Sequence, residues 1–330
     1  MRNLVVCCDG TWNTPDQEKN EIPAPTNVYR FHNAVDDTTT GGRPQLRYYH
    51  PGVGTDGNWW HRLRGGAFGH GLNQNIMSAY RWLAAEYRAG DRIFLIGFSR
   101  GAYTARSLGG WICSCGLLDL RRLKDPAQWE RIETCFERGY RKKKKDWRKD
   151  GWKLHAGDAK DGQVGIWFVG VWDTVGALGI PDDLAVLNVL DDRGDFVFHD
   201  TKLSDKVVHA RHALAIDEER GSFSPTVWKS VASRKNVEQV WFAGSHGDVG
   251  GGYAEAGLSD IALKWMIDAA ETAGLAFRKG MREQVHPDPR GVEHKSLRGF
   301  YKKLRTTPRS VPEIDPAARA KSVVHPSVVV

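Results

Sequence analysis

The apolar run Ile93-Phe-Leu-Ile-Gly-Phe98 leads without a break into Ser99-Arg100-Gly101 and a helical pattern that ends near Leu117. A strand with one wet face alternates apolar and polar residues, so an unbroken apolar run of this length reads as a strand buried on both faces. Such a strand needs helices above and below it, which implies a layered, mostly parallel sheet. The remaining chain agrees. Asn3 to Cys8, Leu46 to His50, Val164 to Trp172 and Val237 to Ala243 read as strands. Helices are predicted from a Thr26 cap to Val35, over Leu72 to Tyr87, Pro126 to Tyr140 and Leu203 to Ile216, and over Ile261 to Ala273 with Gly274 as its stop. Alternating strands and helices without internal repeats predict an α/β fold whose sheet is covered on both faces.

The turn Gly97-Phe-Ser-Arg-Gly101 carries the sharpest chemical signal. Glycines flank the serine because a tight strand-to-helix turn crowds the neighbouring backbone. Such a turn lifts the Ser99 hydroxyl above the sheet edge and sets the Arg100 N–H at the helix start, where it can meet a developing oxyanion. The competing reading is an ordinary turn whose serine caps the helix. A serine nucleophile needs a base, and the base needs an orienting carboxylate. Asp173 directly follows one predicted strand and His246 follows another, within Gly244-Ser-His-Gly-Asp-Val-Gly-Gly-Gly252. Parallel strands end along one edge, so Ser99, Asp173 and His246 are expected to meet there. The rival pair is Asp248 as acid with His325 as base. His212, on a predicted helix beside Ala213 and Leu214, reads better as a satisfied core histidine.

Asp9-Gly10-Thr11 follows the first strand and should lie at the same edge, where Gly10 or Thr11 would supply a second oxyanion N–H. The plainer alternative is a turn in which Asp9 caps its own backbone. Asp-Gly-Thr after an N-terminal strand also resembles the phosphatase loop of the haloacid dehalogenase group. That chemistry needs an aspartate two residues earlier, where Cys7 stands.

Charge separates a neutral body from one basic segment. The net charge is +7, with 47 basic and 40 acidic residues. Arg138 to Lys153 holds nine basic and two acidic residues, and the rest of the chain balances. Tyr140, Trp147 and Trp152 flank the lysines, a composition suited to peripheral contact with an anionic membrane. The alternatives are a solvated loop and, less favoured because no groove-reading or stacking fold is recognisable, nucleic-acid binding. Five cysteines in no regular spacing give neither a disulfide framework nor a zinc pattern and are expected to be reduced. No apolar run reaches the length of a membrane span, and the N-terminus has no signal-peptide pattern. The expectation is a cytoplasmic protein, or one exported without a classical signal.

Taken together, Cys8-Asp-Gly-Thr-Trp-Asn13, Gly97-Phe-Ser-Arg-Gly-Ala-Tyr-Thr-Ala-Arg106, Phe168-Val-Gly-Val-Trp-Asp-Thr-Val-Gly176, His212-Ala-Leu-Ala-Ile-Asp-Glu218 and His246-Gly-Asp-Val-Gly-Gly-Gly-Tyr253 resemble the "uncharacterised α/β-hydrolase domain" family, which includes phospholipase effectors of bacterial type VI secretion. The resemblance spans roughly residues 3 to 275. It implies an α/β-hydrolase fold and a Ser-Asp-His triad at Ser99, Asp173 and His246, acting on a carboxylic ester or phospholipid without a metal or organic cofactor. The expected organisation is one domain over 1–330, with a cap inserted over 119–162 and an irregular C-terminal segment over 276–330. Two other readings remain at this level. Asp9, Asp173, His246 and Asp248 would serve a metal-dependent phosphoesterase if they converged. An inactive hydrolase fold would instead bind a membrane or nucleic acid through the basic segment.

Overall fold

Apolar continuity decides the sheet. In the computed structural model, which describes residues 1–10, 18–19, 21–52, 67–149, 151–176, 202–229, 231, 233–297, 306–309, 311 and 322–329, seven strands form one parallel sheet. They are β1 (Asn3–Cys8), β2 (Gln45–His50), β3 (Arg92–Phe98), β4 (Ile166–Trp172), β5 (Val207–Ala215), β6 (Val237–Phe242) and β7 (Ser322–Val324), in spatial order β2-β1-β3-β4-β5-β6-β7. Every residue of β1 is buried, as the unbroken run Asn3–Cys8 requires. The strand order reverses between β1 and β3, and such a switch point opens a crevice at the C-terminal edge of the sheet. Ser99 sits at that edge.

One face is covered by α1 (Asn27–Ala34) and α6 (Gly257–Thr272), which pack on Val5, Phe94, Phe168 and Val240. The other is covered by α2 (Ala67–Glu86) and α3 (Arg100–Cys115), against Leu4, Val6, Ile93 and Leu95. Successive strand residues thus serve opposite cores. Thr26 caps α1 as expected, its hydroxyl accepting the Tyr29 N–H at 3.2 Å. All five cysteines are buried thiols outside any disulfide, and burial pushes the Cys8 thiol up to about 12.

Residues 203–216 correct the sequence reading. The predicted helix is strand β5, paired with β4 through Phe168–His209 and with β6 through Ala213–Val240. Its alanines favour a helix in isolation, but a short buried segment carries no decisive period, and the open edges of β4 and β6 supply the hydrogen bonds that choose the strand. The C-terminal segment, expected to be irregular, contributes β7 beside β6.

The described residues of 119–162 pack largely on the C-terminal halves of α2 and α3, and the charge of Arg141 also reaches Tyr103 in the first turn of α3. The helix α4 (Asp125–Thr134) continues into a π-helical turn, Cys135–Arg141. Trp111 of α3 stacks on Tyr80 at 3.7 Å between centroids and donates its ring N–H to Cys135 Sγ at 3.1 Å. His155 N donates to Leu117 O at 2.8 Å. Trp111 stands twelve residues after Ser99, so its contacts lie on the order of 18 Å from Ser99 along the helix axis. The aromatic residues of the basic segment face inward: Trp147 is buried and Tyr140 stacks on Trp111. Lys142 to Lys145 stay exposed.

Candidate active site

The serine turn is built by close backbone approach. A Cβ added to Gly101 would lie 2.1 Å from Cys8 O, and one added to Gly97 would lie 2.5 Å from Gly101 O. Only glycine lets α3 begin so near β1 and β3. Between them Ser99 adopts φ 57°, ψ −122°, a conformation costing a non-glycine residue roughly 1–3 kcal/mol. Ser99 N donates to Trp172 O at 3.1 Å, which ties the turn to the end of β4. Ser99 occupies the N-cap position, yet its side chain makes no capping bond. The capping alternative therefore does not describe this serine.

Asp173 follows β4 directly, with φ 39° and no exposed surface. Its Oδ2 accepts the His246 Nδ1–H at 2.5 Å, which leaves Nε2 as the basic nitrogen. His246 opens the short helix α5 (His246–Gly250), whose capping box joins Ser245 and Asp248. Its ring is held between Phe98 at 4.5 Å and Phe223 at 4.9 Å, centroid to centroid. Phe98 immediately precedes Ser99, so the imidazole lies beside the serine turn. Burial lowers the His246 pKa below its ordinary 6.5, opposed by the bond to Asp173. Burial alone would raise the Asp173 carboxyl, but the charge of Arg309 and the His246 bond outweigh it and hold the acid well below the usual carboxylate range.

The rival pair does not form. Asp248 Oδ2 accepts Ser245 N and Ser245 Oγ, both at 2.9 Å, and its Oδ1 meets His294 Nδ1 at 2.6 Å. His325 stacks on Phe242 at the β6–β7 edge, and its Nδ1 meets Ser327 Oγ at 2.8 Å. His212 is a satisfied core histidine, though on a strand: Nε2 accepts the Thr174 N–H at 3.2 Å, and burial pushes its pKa down to about 3. Asp9 has the local role of the plainer reading. Its Oδ1 accepts the Gly10 N–H at 2.7 Å, and its Oδ2 accepts Thr26 Oγ1 at 2.5 Å and Tyr49 OH at 2.7 Å. Thr11 lies outside the described residues. Arg100 is the first residue of α3. The four residues of the metal reading do not converge, and among the described residues no three His, Cys, Asp or Glu side chains form a metal-holding group.

Sequence reasoning missed three neighbours of the pair. Arg309 bonds both oxygens of Asp173. Glu218 accepts the His246 backbone N–H at 3.2 Å, and Arg220 pairs with Glu218 at 2.8 Å. Burial would raise Glu218, but Arg220 keeps its carboxyl below the ordinary value. No periodicity marks these residues; Arg309 comes from a polar, Pro-rich stretch.

A parallel sheet covered by helices on both faces, with a serine turn at its switch point and an Asp–His pair on the same edge, has the architecture of the α/β-hydrolase fold. The profile of the family described as "T6SS, Phospholipase effector Tle1-like, catalytic domain" matches residues 2–269, and the chain belongs to that family. It is 31% identical over 243 residues to the uncharacterized protein YEL023C of Saccharomyces cerevisiae, covering 67% of this chain and 32% of the yeast protein. In fold it is similar to the crystal structure of an uncharacterized protein from Pseudomonas aeruginosa, with TM-score 0.50, 18% identity, 87% of this chain and 49% of that chain covered. A structure of the Tle1 effector bound to the VgrG spike of the type 6 secretion system aligns with TM-score 0.46 and 19% identity, over 76% of this chain and 51% of that one. The chain thus spans about a third of the yeast relative and about half of each solved chain. Among the described residues no helix is long and apolar enough to cross a membrane.

Proposed function

We propose that this chain hydrolyses a carboxylic ester of a lipid, with a phospholipid as the favoured substrate class, by acyl transfer through Ser99. The observation that carries the reading is the Asp173–His246 bond at the sheet edge where the strained Ser99 turn stands. Ser99 Oγ attacks the ester carbonyl carbon while its proton passes to His246 Nε2. The carbonyl electrons collect on oxygen, which the Arg100 N–H at the helix start stabilises. The intermediate collapses, the carbon–oxygen bond to the alcohol breaks, and His246 returns the proton to the departing oxygen. Water then attacks the acyl-enzyme with His246 again as base, releasing the acid and restoring Ser99. Gly10 would add its N–H only once it leaves Asp9 Oδ1, and Thr11 is the other candidate for the second donor. Exposure to a fluorophosphonate followed by peptide mass spectrometry tests the reading: a single adduct is expected on Ser99, and an adduct elsewhere or none refutes it.

The pH profile follows from the imidazole. The base works only when neutral, and burial lowers its pKa below 6.5. Activity should therefore rise as pH increases through a midpoint below 6.5 and then level off, measured as kcat/KM on a soluble short-chain ester. A midpoint above 7 would contradict a buried His246 as base.

The reading extends to the basic segment as a contact for anionic membranes. Exposed Lys142 to Lys145 are each worth about 1 kcal/mol near such a surface. Because Tyr140 and Trp147 are engaged with the protein interior, the contact is electrostatic and gains little from aromatic insertion. Co-sedimentation with phosphatidylserine-containing vesicles is expected at low salt and should fade as salt rises. It should drop when Lys142 to Lys145 become glutamine and be negligible with neutral vesicles. Equal binding by the glutamine variant would assign the segment to solvent.

A further inference from the structure

Asp173 has more partners than orienting a histidine requires. Its Oδ2 accepts from His246 Nδ1 at 2.5 Å and its Oδ1 from Ala215 N at 3.1 Å. Beyond these, Arg309 Nη1 reaches Oδ1 at 2.6 Å and Nη2 reaches Oδ2 at 2.9 Å. The same two nitrogens donate to Ala215 O at 2.6 Å and Phe223 O at 2.5 Å. A planar fork held at four points cannot turn, so it fixes the plane of the carboxylate it grips. The Arg309 side chain is only 3% exposed. Its segment is tied to the body by the Thr307 N–H on Glu219 O at 2.9 Å and by a bridge between Arg220 and Thr306. Arg309 lies beyond the family match, which ends at residue 269.

The charges around the imidazole also balance. Asp173 faces it from the end of β4, and Glu218 and Arg220 from the segment after β5. Arg309 stands behind Asp173, and Asp248 of the histidine's own helix is turned to Ser245 and His294. Each carboxylate near the ring thus has an arginine. Removing Arg309 would leave an excess negative charge that favours the protonated ring.

We infer that Arg309 is a positioning residue of the serine site: its fork aims Asp173 Oδ2 at His246 Nδ1, and its charge offsets the carboxylate so that His246 stays a neutral base to lower pH. The inference rests on the Ser99–His246–Asp173 reading above. It gives the C-terminal segment a role in the site, supplied from outside the matched catalytic-domain residues.

The test is the pH dependence of Ser99 phosphonylation by a fluorophosphonate, in which the Ser99 oxygen–phosphorus bond forms, the phosphorus–fluorine bond breaks and the serine proton passes to His246. Wild type, Arg309→Gln and Arg309→Lys are compared, with the folded fraction checked by thermal unfolding. Arg309→Gln removes the charge, so its acid-limb midpoint should rise by about one pH unit. Arg309→Lys keeps the charge and loses the fork, so its midpoint should stay near wild type while its plateau rate falls roughly tenfold or more. Folded Arg309→Gln with a wild-type midpoint overturns the charge role, and Arg309→Lys with a wild-type plateau overturns the aiming role. If the glutamine variant does not fold, the lysine variant decides by its plateau. Labelled wild type with unchanged variants refutes this inference alone, whereas wild type that is never labelled at Ser99 refutes the site reading and the inference with it.

Discussion

Ser99→Ala is expected to lose ester hydrolysis by a factor on the order of 10⁶ in kcat while the protein stays folded. Without the oxygen no acyl-enzyme forms, and oxyanion donors alone leave about 10³–10⁴ over the uncatalysed rate, below most assays. The fold should survive because Ser99 Oγ makes no helix-capping bond, so its removal uncaps nothing. Ser99→Gly offers a second check. Glycine adopts φ 57° without steric cost, so this variant should be equally inactive and unfold at a higher temperature than wild type. A protein held in a strained conformation that only its reactive residue needs gives up stability at that position for function. Near-normal turnover by folded Ser99→Ala would end the serine mechanism.

His246→Ala should cost about as much as Ser99→Ala, and the double variant no more than either, because a nucleophile and its base act as a unit. Asp173→Asn should cost less, on the order of 10⁴, since the histidine remains but its tautomer is no longer held. His325→Ala should leave kcat/KM within a factor of about two, because this ring stacks on Phe242 and bonds Ser327 at the far edge of the sheet. Steady-state kinetics on one soluble ester would rank all four. A loss in His325→Ala comparable to that in His246→Ala would move the base to the C-terminal segment. Additive losses in the Ser99/His246 double variant would show that the two residues do not share one proton transfer.

The sheet was legible where its strands are buried on both faces. Asn3–Cys8, Arg92–Phe98 and Ile166–Trp172 need helices on both sides, so composition alone points to the layers. Residues 203–216 were misread because alanines in a short buried segment suit helix or strand, and pairing with β4 and β6 makes the choice. At the site, the placement of Ser99, Asp173 and His246 at strand ends could be read from chain order, since parallel strands share one edge.

What the sequence determined by itself was therefore local: two glycines around Ser99 where a Cβ has no room, apolar runs that end in Asp173 and shortly before His246, and a basic run that its neighbours do not neutralise. Each is a constraint between residues close in the chain. What only the tertiary structure decided is which distant groups share a buried charge. Arg309 is 136 residues from Asp173, and Asp248 chose His294, 46 residues on, over His325. Nothing in the spacing encodes these partners. They are selected because a carboxylate inside the protein must be matched by whichever donors the packed chain brings within reach.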